Sequence, residues 1–234
     1  KIRKLEELKI SLINNLTQKG IRTNALKDSE LGKIPDDWEV QMFKDIFKKY
    51  TYGPRFNASN YHHKGNVKTI RGTDIQENWS INYEQVHLAK LDQEVVLKHS
   101  LNQGDIVMIT TAECGFSAVY NQQNIPYICS AYAIRLEPSN KVDPNYCVYL
   151  LQSEITKRQI QKFVRKGTVS NLPGSDVMQI KIPLPMIQEQ KKIVSSLTAI
   201  EELIKESKRK LKSTQLLNQS ISADLLSGRK RVNV

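Results

Sequence analysis

The chain has 234 residues, of which 39% are apolar and 25% charged, and a formal charge of +11. That length accommodates one sizeable domain with extensions, and the composition is ordinary for a globular protein. No apolar run is long enough to cross a bilayer, and Cys114, Cys129 and Cys147 are too few and too irregular for a disulfide framework or a C-x-x-C zinc site. The cysteines are expected to be free and mostly buried thiols. With no signal peptide visible and a start at Lys1 in mid-pattern, the expectation is a cytoplasmic protein supplied as a fragment.

Leu5, Leu8, Leu12 and Leu16 recur at three- and four-residue steps and predict an amphipathic helix over residues 1–19, stopped by Gly20. Ile34 to Val40 reads as a turn into an entry strand or short helix. Beyond it the pattern is mixed with a β bias. Strands are expected at Val67–Ile70, at Ile106–Thr111 after the Gly104-Asp105 turn, at Ser117–Tyr120 and at Tyr127–Leu136, with a further candidate at Tyr83–Leu88. Asp143-Pro144 opens a helix to about Val164, with Asp as N-cap and Pro in the first turn. Residues 167–174 form a polar loop, and Ile180–Pro185 is a strand ended by prolines.

A long helix follows from Gln188. Ile193, Leu197, Ile200, Ile204 and Leu211 keep a heptad rhythm, continued by Ile221 and Leu225 and interrupted by Ser207, Thr214 and Asn218. This seam needs a second helix to cover it. The two chain ends also resemble each other. Leu12 to Gly20 and Ile221 to Gly228 are each a leucine-bearing helix terminus, then Gly, then basic residues (Arg22; Arg229, Lys230, Arg231). A repeat at that distance suggests a duplicated domain-plus-helix unit.

The positive charge is uneven. Residues 1–27 hold seven Lys/Arg against two acids and residues 187–234 ten against five, while 28–186 hold eighteen against seventeen. Within the middle, seven basic residues and one acid lie between Lys44 and Arg71, and five basic residues with no acid between Lys157 and Lys166. Such segregation suits a polyanion-binding face. Two solvated surfaces would give the same pattern.

Ile182-Pro183-Leu184-Pro185 followed by Glu189-Gln190-x-x-Ile193-Val194 resembles the signature that closes each recognition domain in the specificity subunits of type I restriction–modification enzymes. Asp224-Leu225-Leu226-Ser227-Gly228-x-x-Arg231-Val232 is similar to that family's C-terminus, and Ile34-Pro35-x-x-Trp38 to its domain start. Ile70-Arg71-x-x-Asp74-Ile75, Gly104-Asp105-Ile106-Val107 and Gly167-Thr168-x-x-Asn171-Leu172 resemble interior motifs, in the expected order. The resemblance covers essentially the whole chain and matches the C-terminal half of such a subunit. It implies an α/β (α+β) fold: a β-rich target-recognition domain flanked by long coiled-coil helices. The expected division is 1–22, the end of a central conserved helix; 23–186, the recognition domain; and 187–234, a C-terminal conserved helix. The implied function is sequence-specific reading of one half of a bipartite DNA site, with no catalytic residues and no cofactor. The implied partners are double-stranded DNA, the methyltransferase subunit, the restriction/translocase subunit through the complex, and another conserved helix from the other half of the subunit or a second copy. The pairing face would be Ile193, Leu197, Ile200, Ile204, Leu211 and Leu225. A recognition domain cut from a fused methyltransferase/restriction enzyme is the alternative.

For DNA reading, phosphate contacts supply affinity and base-edge contacts supply sequence choice. Lys44, Lys48, Lys49, Lys157, Lys162 and Lys166 are phosphate candidates. Arg55, Arg71 and Arg165 could present paired donors to guanine, or could sit in salt bridges or solvent. The segment Lys49-Tyr50-Thr51-Tyr52-Gly53-Pro54-Arg55 reads as a loop able to enter a groove, unless Tyr50 and Tyr52 pack beneath it. Thr73 is a candidate within the Arg71 motif. Thr111 and Glu113 leave a buried strand, and Glu113 could accept from cytosine or orient an arginine. Lys166, Thr168, Ser170 and Asn171 carry the amide and hydroxyls of the last candidate loop.

An enzyme fits less well. Asn124-Ile125-Pro126-Tyr127 nearly matches the catalytic motif of adenine-N6 methyltransferases, but Ile125 replaces the expected Pro and no Gly-rich methyl-donor motif accompanies it. It is read as a turn before a strand. Pro35-Asp36 with Glu189-x-Lys191 could suggest a nuclease, but that Glu and Lys open an amphipathic helix. No Walker motif is present. His62 and His63, being adjacent, would point to opposite faces of a strand and chelate poorly, so a surface loop is expected. A purely structural coiled-coil adaptor would leave the strand-rich middle unexplained.

Overall fold

The computed structural model describes residues 1–21 and 25–227, with Leu225 described by its backbone alone. Arg22, the boundary at residue 23, the closing Gly228, Arg229, Lys230, Arg231 and Val232, and the Leu225 side chain lie outside the described residues. The chain forms two compact units: Ile13–Val194, and a helical unit of Lys1–Leu12 with Ser195–Val234.

Helix α1 (Ile2–Lys19) ends where expected. Gly20, at φ +73°, donates its N–H to the Leu16 carbonyl at 3.1 Å, a left-handed helix stop that a Cβ would strain. The deepest residues of α1 are Ile13 and Thr17, and Leu8 is exposed, so the face is shifted from the expected leucine stripe. An unforeseen antiparallel hairpin follows, β1 (Leu26–Ser29) and β2 (Gly32–Pro35). Three of the four β1 residues are exposed, so it carries no apolar alternation to read. Next come β3 (Glu39–Met42), the single turn α2 (Phe43–Ile46), β4 (Phe47–Tyr52), β5 (Val67–Ile70), β6 (His87–Ala89), α3 (Gln93–His99), β7 (Ile106–Ile109), β8 (Ser117–Val119), β9 (Tyr127–Cys129) and β10 (Ala133–Pro138). The chain closes with α4 (Pro144–Gln152), α5 (Glu154–Phe163), α6 (Gly174–Val177), β11 (Lys181–Leu184) and α7 (Ile187–Leu226). The fold is mixed α/β with a long C-terminal helix, as expected.

Strands β4-β10-β7-β8 make an antiparallel sheet in that order, and β6-β5-β9 a second sheet in which β5 and β9 run parallel. Strand β3 pairs with β11. Side chains alternate across β5 and β9, so the two faces feed different cores. Ile70, Tyr127 and Cys129 join Val107, Ile109 and Tyr120, while Val67 and Ile128 join Ala89 and Val96.

Several expectations are corrected. The apolar run 127–136 is two strands in different sheets, parted at Ser130, whose N–H donates to the Ile70 carbonyl at 2.8 Å. The helix expected over 143–164 breaks at Ser153 (φ −73°, ψ 152°). Asp143 caps its first half as expected, and Asn14 Oδ1 accepts the Glu154 N–H at 2.8 Å at the start of the second. Strand β7 stops at Ile109, and the candidate at Tyr83–Leu88 is reduced to His87–Ala89. Lys49 to Tyr52 is not loop but the last four residues of β4, paired with β10. His62 and His63 lie in a loop, as expected, with their rings stacked at 4.4 Å. Among the described residues no helix is long and apolar enough to cross a membrane, and no cluster of metal-ligand residues occurs.

Candidate nucleic-acid interface

Register brings several strand ends to one edge of the compact unit. Tyr52 at the end of β4 pairs with Ile134 at the start of β10, and Ile109 at the end of β7 pairs with Ala133. Ile70 and Cys129, the last residues of β5 and β9, are parallel partners. The Ser130 N–H extends the β5–β9 ladder to the Ile70 carbonyl at 2.8 Å, and the Gly53 N–H extends the β4–β10 ladder to the Ala133 carbonyl at 3.2 Å. The two sheets meet where Gly53 packs against the carbonyl oxygens of Cys129 and Ser130. The loops leaving this edge start at residues 53, 71, 110 and 130. A fifth segment, 165–172, is zipped to the third. Ala112 N–H donates to Ser170 at 2.9 Å, Leu172 N–H to Thr110 at 2.7 Å, and Arg165 and Asn171 exchange backbone bonds.

Most of the residues singled out in sequence arrive here. Tyr52 is partly exposed, and its hydroxyl accepts the Gly174 N–H at 2.7 Å, tying β4 to the segment after Asn171. Arg55 is exposed just beyond Gly53. Arg71 is held by the fully buried Asp74, with Nε to Oδ2 at 3.3 Å and Nη2 to Oδ1 at 3.2 Å. That hydrogen bond raises the guanidinium pKa, and a forked pair fixes the direction of the remaining donors. Thr73, Glu113, Lys166, Thr168 and Asn171 are exposed, and Thr111 and Ser170 are half-buried. Arg165 lies 3.4 Å from Asp176.

Lys49 does not reach this edge. It stands three residues before Tyr52, roughly 10 Å back along the strand, and its Nζ lies 3.7 Å from Glu137, which also takes Lys48 at 3.2 Å. Lys68 is likewise drawn away, donating to the Tyr83 carbonyl at 3.0 Å and lying over the Tyr127 ring. Tyr127 itself is core, so the bend at Asn124-Ile125 leads into a buried strand.

A cleft of about 980 Å³ opens beside the edge, lined by Thr73, Glu113, Lys166 and Ser170 together with Trp79, Phe116 and Lys157. The described non-glycine residues with positive φ, Trp79 (+62°) and Ala112 (+66°), both line it. Each such position costs on the order of 1–3 kcal/mol and persists only when its surroundings enforce it. Trp79 is enforced by a tight turn, with its N–H on the Gln76 carbonyl at 2.8 Å, and by an edge-on contact with Phe116 at 4.8 Å. Ala112 is enforced by the bond to Ser170. Gly115, at φ +90°, lets the same loop lie against Ile160 of α5. Sequence reasoning missed Trp79 and Phe116. The signal was a lone Trp within the polar run Gln76 to Ser80.

In the helical unit, α1 and α7 run antiparallel, with Lys9 pairing Glu201 at 2.6 Å and Glu6 pairing Lys208 at 2.7 Å. Leu197 and Ile204 are buried, Ile200 is half-buried, and Leu211 and Ile221 are exposed. Ile193 is also fully buried but belongs to the compact unit.

Residues 35–213 match the family model described as Type I restriction modification DNA specificity domain. The chain is similar to the type I restriction enzyme MjaVIII specificity subunit of Methanocaldococcus jannaschii, 26% identical over 97% of this chain and 55% of that one. It is similar also to the putative MjaX specificity subunit of the same organism, 30% identical over 76% of this chain and 43% of that one. The chain thus spans about half the length of the curated relatives it matches. In fold it resembles the HsdS subunit from Thermoanaerobacter tengcongensis, with a TM-score of 0.64 at 17% identity over 95% of this chain and 50% of that one. A structure of a type I R-M system is similar in fold too, with a TM-score of 0.65 at 17% identity over 97% of this chain and 54% of that one.

Proposed function

We propose, from the premise that this chain belongs to the type I restriction modification DNA specificity domain family, that its compact unit reads one half of a bipartite site in double-stranded DNA. The observation that carries this reading is the gathering of five loop segments at a single edge. Arg55, Arg71, Arg165, Lys166, Thr168 and Asn171 supply charge for phosphates and forked or amide groups for base edges. The backbone bonds that join Thr111 to Asn171 make two of those segments one rigid unit, and rigidity converts contacts into discrimination.

The recognition domain corresponds to residues 23–186, and the terminal helices are the docking elements. Leu211 and Ile221, exposed on α7 beyond Ser207, offer apolar side chains to another conserved helix. Through them the chain would be held beside a methyltransferase subunit and, within that assembly, a restriction/translocase subunit. The chain itself contributes recognition and no chemistry.

Selection from a pool of random-sequence duplexes tests the reading. The chain is expected to enrich a short motif, and Thr168→Ala or Asn171→Ala to relax it. Equal recovery of all sequences by the unaltered chain would contradict it.

A further inference from the structure

We infer that Tyr132 is a base-reading residue of this edge, an inference that rests on the reading of the compact unit as a DNA reader. Tyr132 sits in the short turn between β9 and β10 and is 65% exposed, among the most exposed large hydrophobic side chains of the compact unit. By contrast Tyr127, at the start of β9, is buried against Tyr83 and Tyr120. A single exposed aromatic needs no explanation by itself. What distinguishes this one is its mounting.

The turn is bonded on every side to a different strand end. Ser130 N–H donates to Ile70 of β5 at 2.8 Å, and Gly53 N–H beyond β4 donates to Ala133 at 3.2 Å. The Tyr132 carbonyl accepts both the Thr110 N–H at 2.9 Å and the Thr110 hydroxyl at 3.0 Å, beyond β7. Ala133 N–H closes the turn on Ser130 at 3.1 Å. Gly53 is pressed so close that a Cβ would lie 2.1 Å from the Cys129 carbonyl oxygen. The backbone beneath the ring is therefore held by hydrogen bonds to three strand ends, while the ring is exposed to meet a ligand. A tyrosine fixed in this way loses little conformational entropy on binding and offers a flat apolar face with a hydroxyl at its tip.

Its neighbours along the edge are Gly53 and Arg55 on one side, Arg71 after Ile70, and Thr111 after Thr110. These are the segments that carry the forked and hydroxyl groups. An apolar face among them suits contact with a thymine methyl or the edge of a base step, and the hydroxyl suits a base acceptor or donor.

The test is duplex selection with the unaltered 234-residue chain, Tyr132→Ala and Tyr132→Phe, with thermal midpoints recorded alongside. Tyr132→Ala is expected to keep the wild-type midpoint, because the side chain is exposed. It should lose preference at one or two adjacent positions of the selected motif, about tenfold, with the salt dependence of binding unchanged. Retention of that preference by Tyr132→Phe assigns it to the ring, and its loss assigns it to the hydroxyl; both agree with the inference. An unchanged motif in Tyr132→Ala, or weakening that is uniform over all sequences, overturns it while leaving the compact unit a DNA reader. Failure of the unaltered chain to select any motif overturns both.

Discussion

Trp38 and Glu189 are joined across 151 residues by a hydrogen bond, the buried indole Nε1–H donating to Oε2 at 3.2 Å. The second carboxylate oxygen accepts the Ile21 N–H at 3.3 Å. The next residue, Gln190, is fully buried. It accepts the Asp143 N–H at 2.8 Å and donates to the carbonyls of Lys141 at 2.9 Å and Pro185 at 2.8 Å. The paired Glu-Gln at the start of α7 thus closes the compact unit, binding the chain that enters it, the chain that leaves it and the N-terminus of α4.

Gln190→Ala should cost about 3 kcal/mol, because it strands buried donors and acceptors of the backbone. Urea denaturation measures it, and an unshifted midpoint would contradict the role. Glu189→Ala, removing bonds that are only partly buried, should cost about 1 kcal/mol.

Gly53→Ala tests the junction of the two sheets. Its Cβ would meet backbone oxygens of Cys129 and Ser130 at 2.1 and 2.2 Å, and backbone cannot swing aside. A loss of about 1–3 kcal/mol is expected, with an altered duplex preference because the adjoining loops must shift.

Buried Arg135 is flanked by Asp105 and Glu137, at 3.2 and 3.0 Å. Burial is the largest influence on Asp105 and raises its pKa. On Glu137 burial also pushes upward, but hydrogen bonds and charge from Lys48 and Arg135 together outweigh it and hold the carboxyl below its ordinary 4.5. Glu137 therefore contributes stability present above the ordinary carboxylate range and lost as pH falls through its depressed folded value. Asp105 acts with opposite sign, its contribution being present at low pH and lost as pH rises through its raised value. Urea midpoints followed from neutral to acid pH should accordingly fall less steeply in Glu137→Gln and more steeply in Asp105→Asn than in the unaltered chain. Parallel profiles would refute the assignment.

Lys157 and Lys166 line the cleft. If both meet phosphates, Lys157→Gln and Lys166→Gln should each reduce the slope of log affinity against log salt by about 0.9 and weaken all duplexes alike. Asn171→Ala should instead change preference and leave the slope unaltered. A change of preference in either lysine variant would reassign it to the bases.

Ile204→Asp places a charge in the α1–α7 seam of the helical unit. Limited proteolysis within α7 should accelerate severalfold, while the thermal unfolding of the compact unit stays where it was. Unchanged cleavage would mean that the seam contributes little.

Local pattern made much of this legible. The helical stripe of α7 and the Asp143 cap can be read residue by residue, and so can the strands Val67–Ile70, Ser117–Val119 and Lys181–Leu184. The break at Ser153 could not be read, because the group that accepts the Glu154 N–H just after it is Asn14, far away in sequence. Nor could the parting of β9 from β10, since the run from Tyr127 to Leu136 is mostly apolar, carries no Gly or Pro to mark a turn, and both strands are buried.

The candidate interface divides in the same way. Arg55, Arg71, Lys166 and Asn171 were visible as residue types suited to DNA. Lys49 was visible too, yet strand register sets it back against Glu137. Tyr132 was hidden inside an apolar run, and Trp79 in a polar turn. By itself the sequence determined the family, the helical arms and the chemical character of the loops, because periodicity and short motifs are properties of neighbouring residues. Only the tertiary structure decided which loops share an edge and which side chains face outward there. Those outcomes depend on hydrogen-bond register between strands far apart in the chain, and a shift of one residue would exchange their buried and exposed faces.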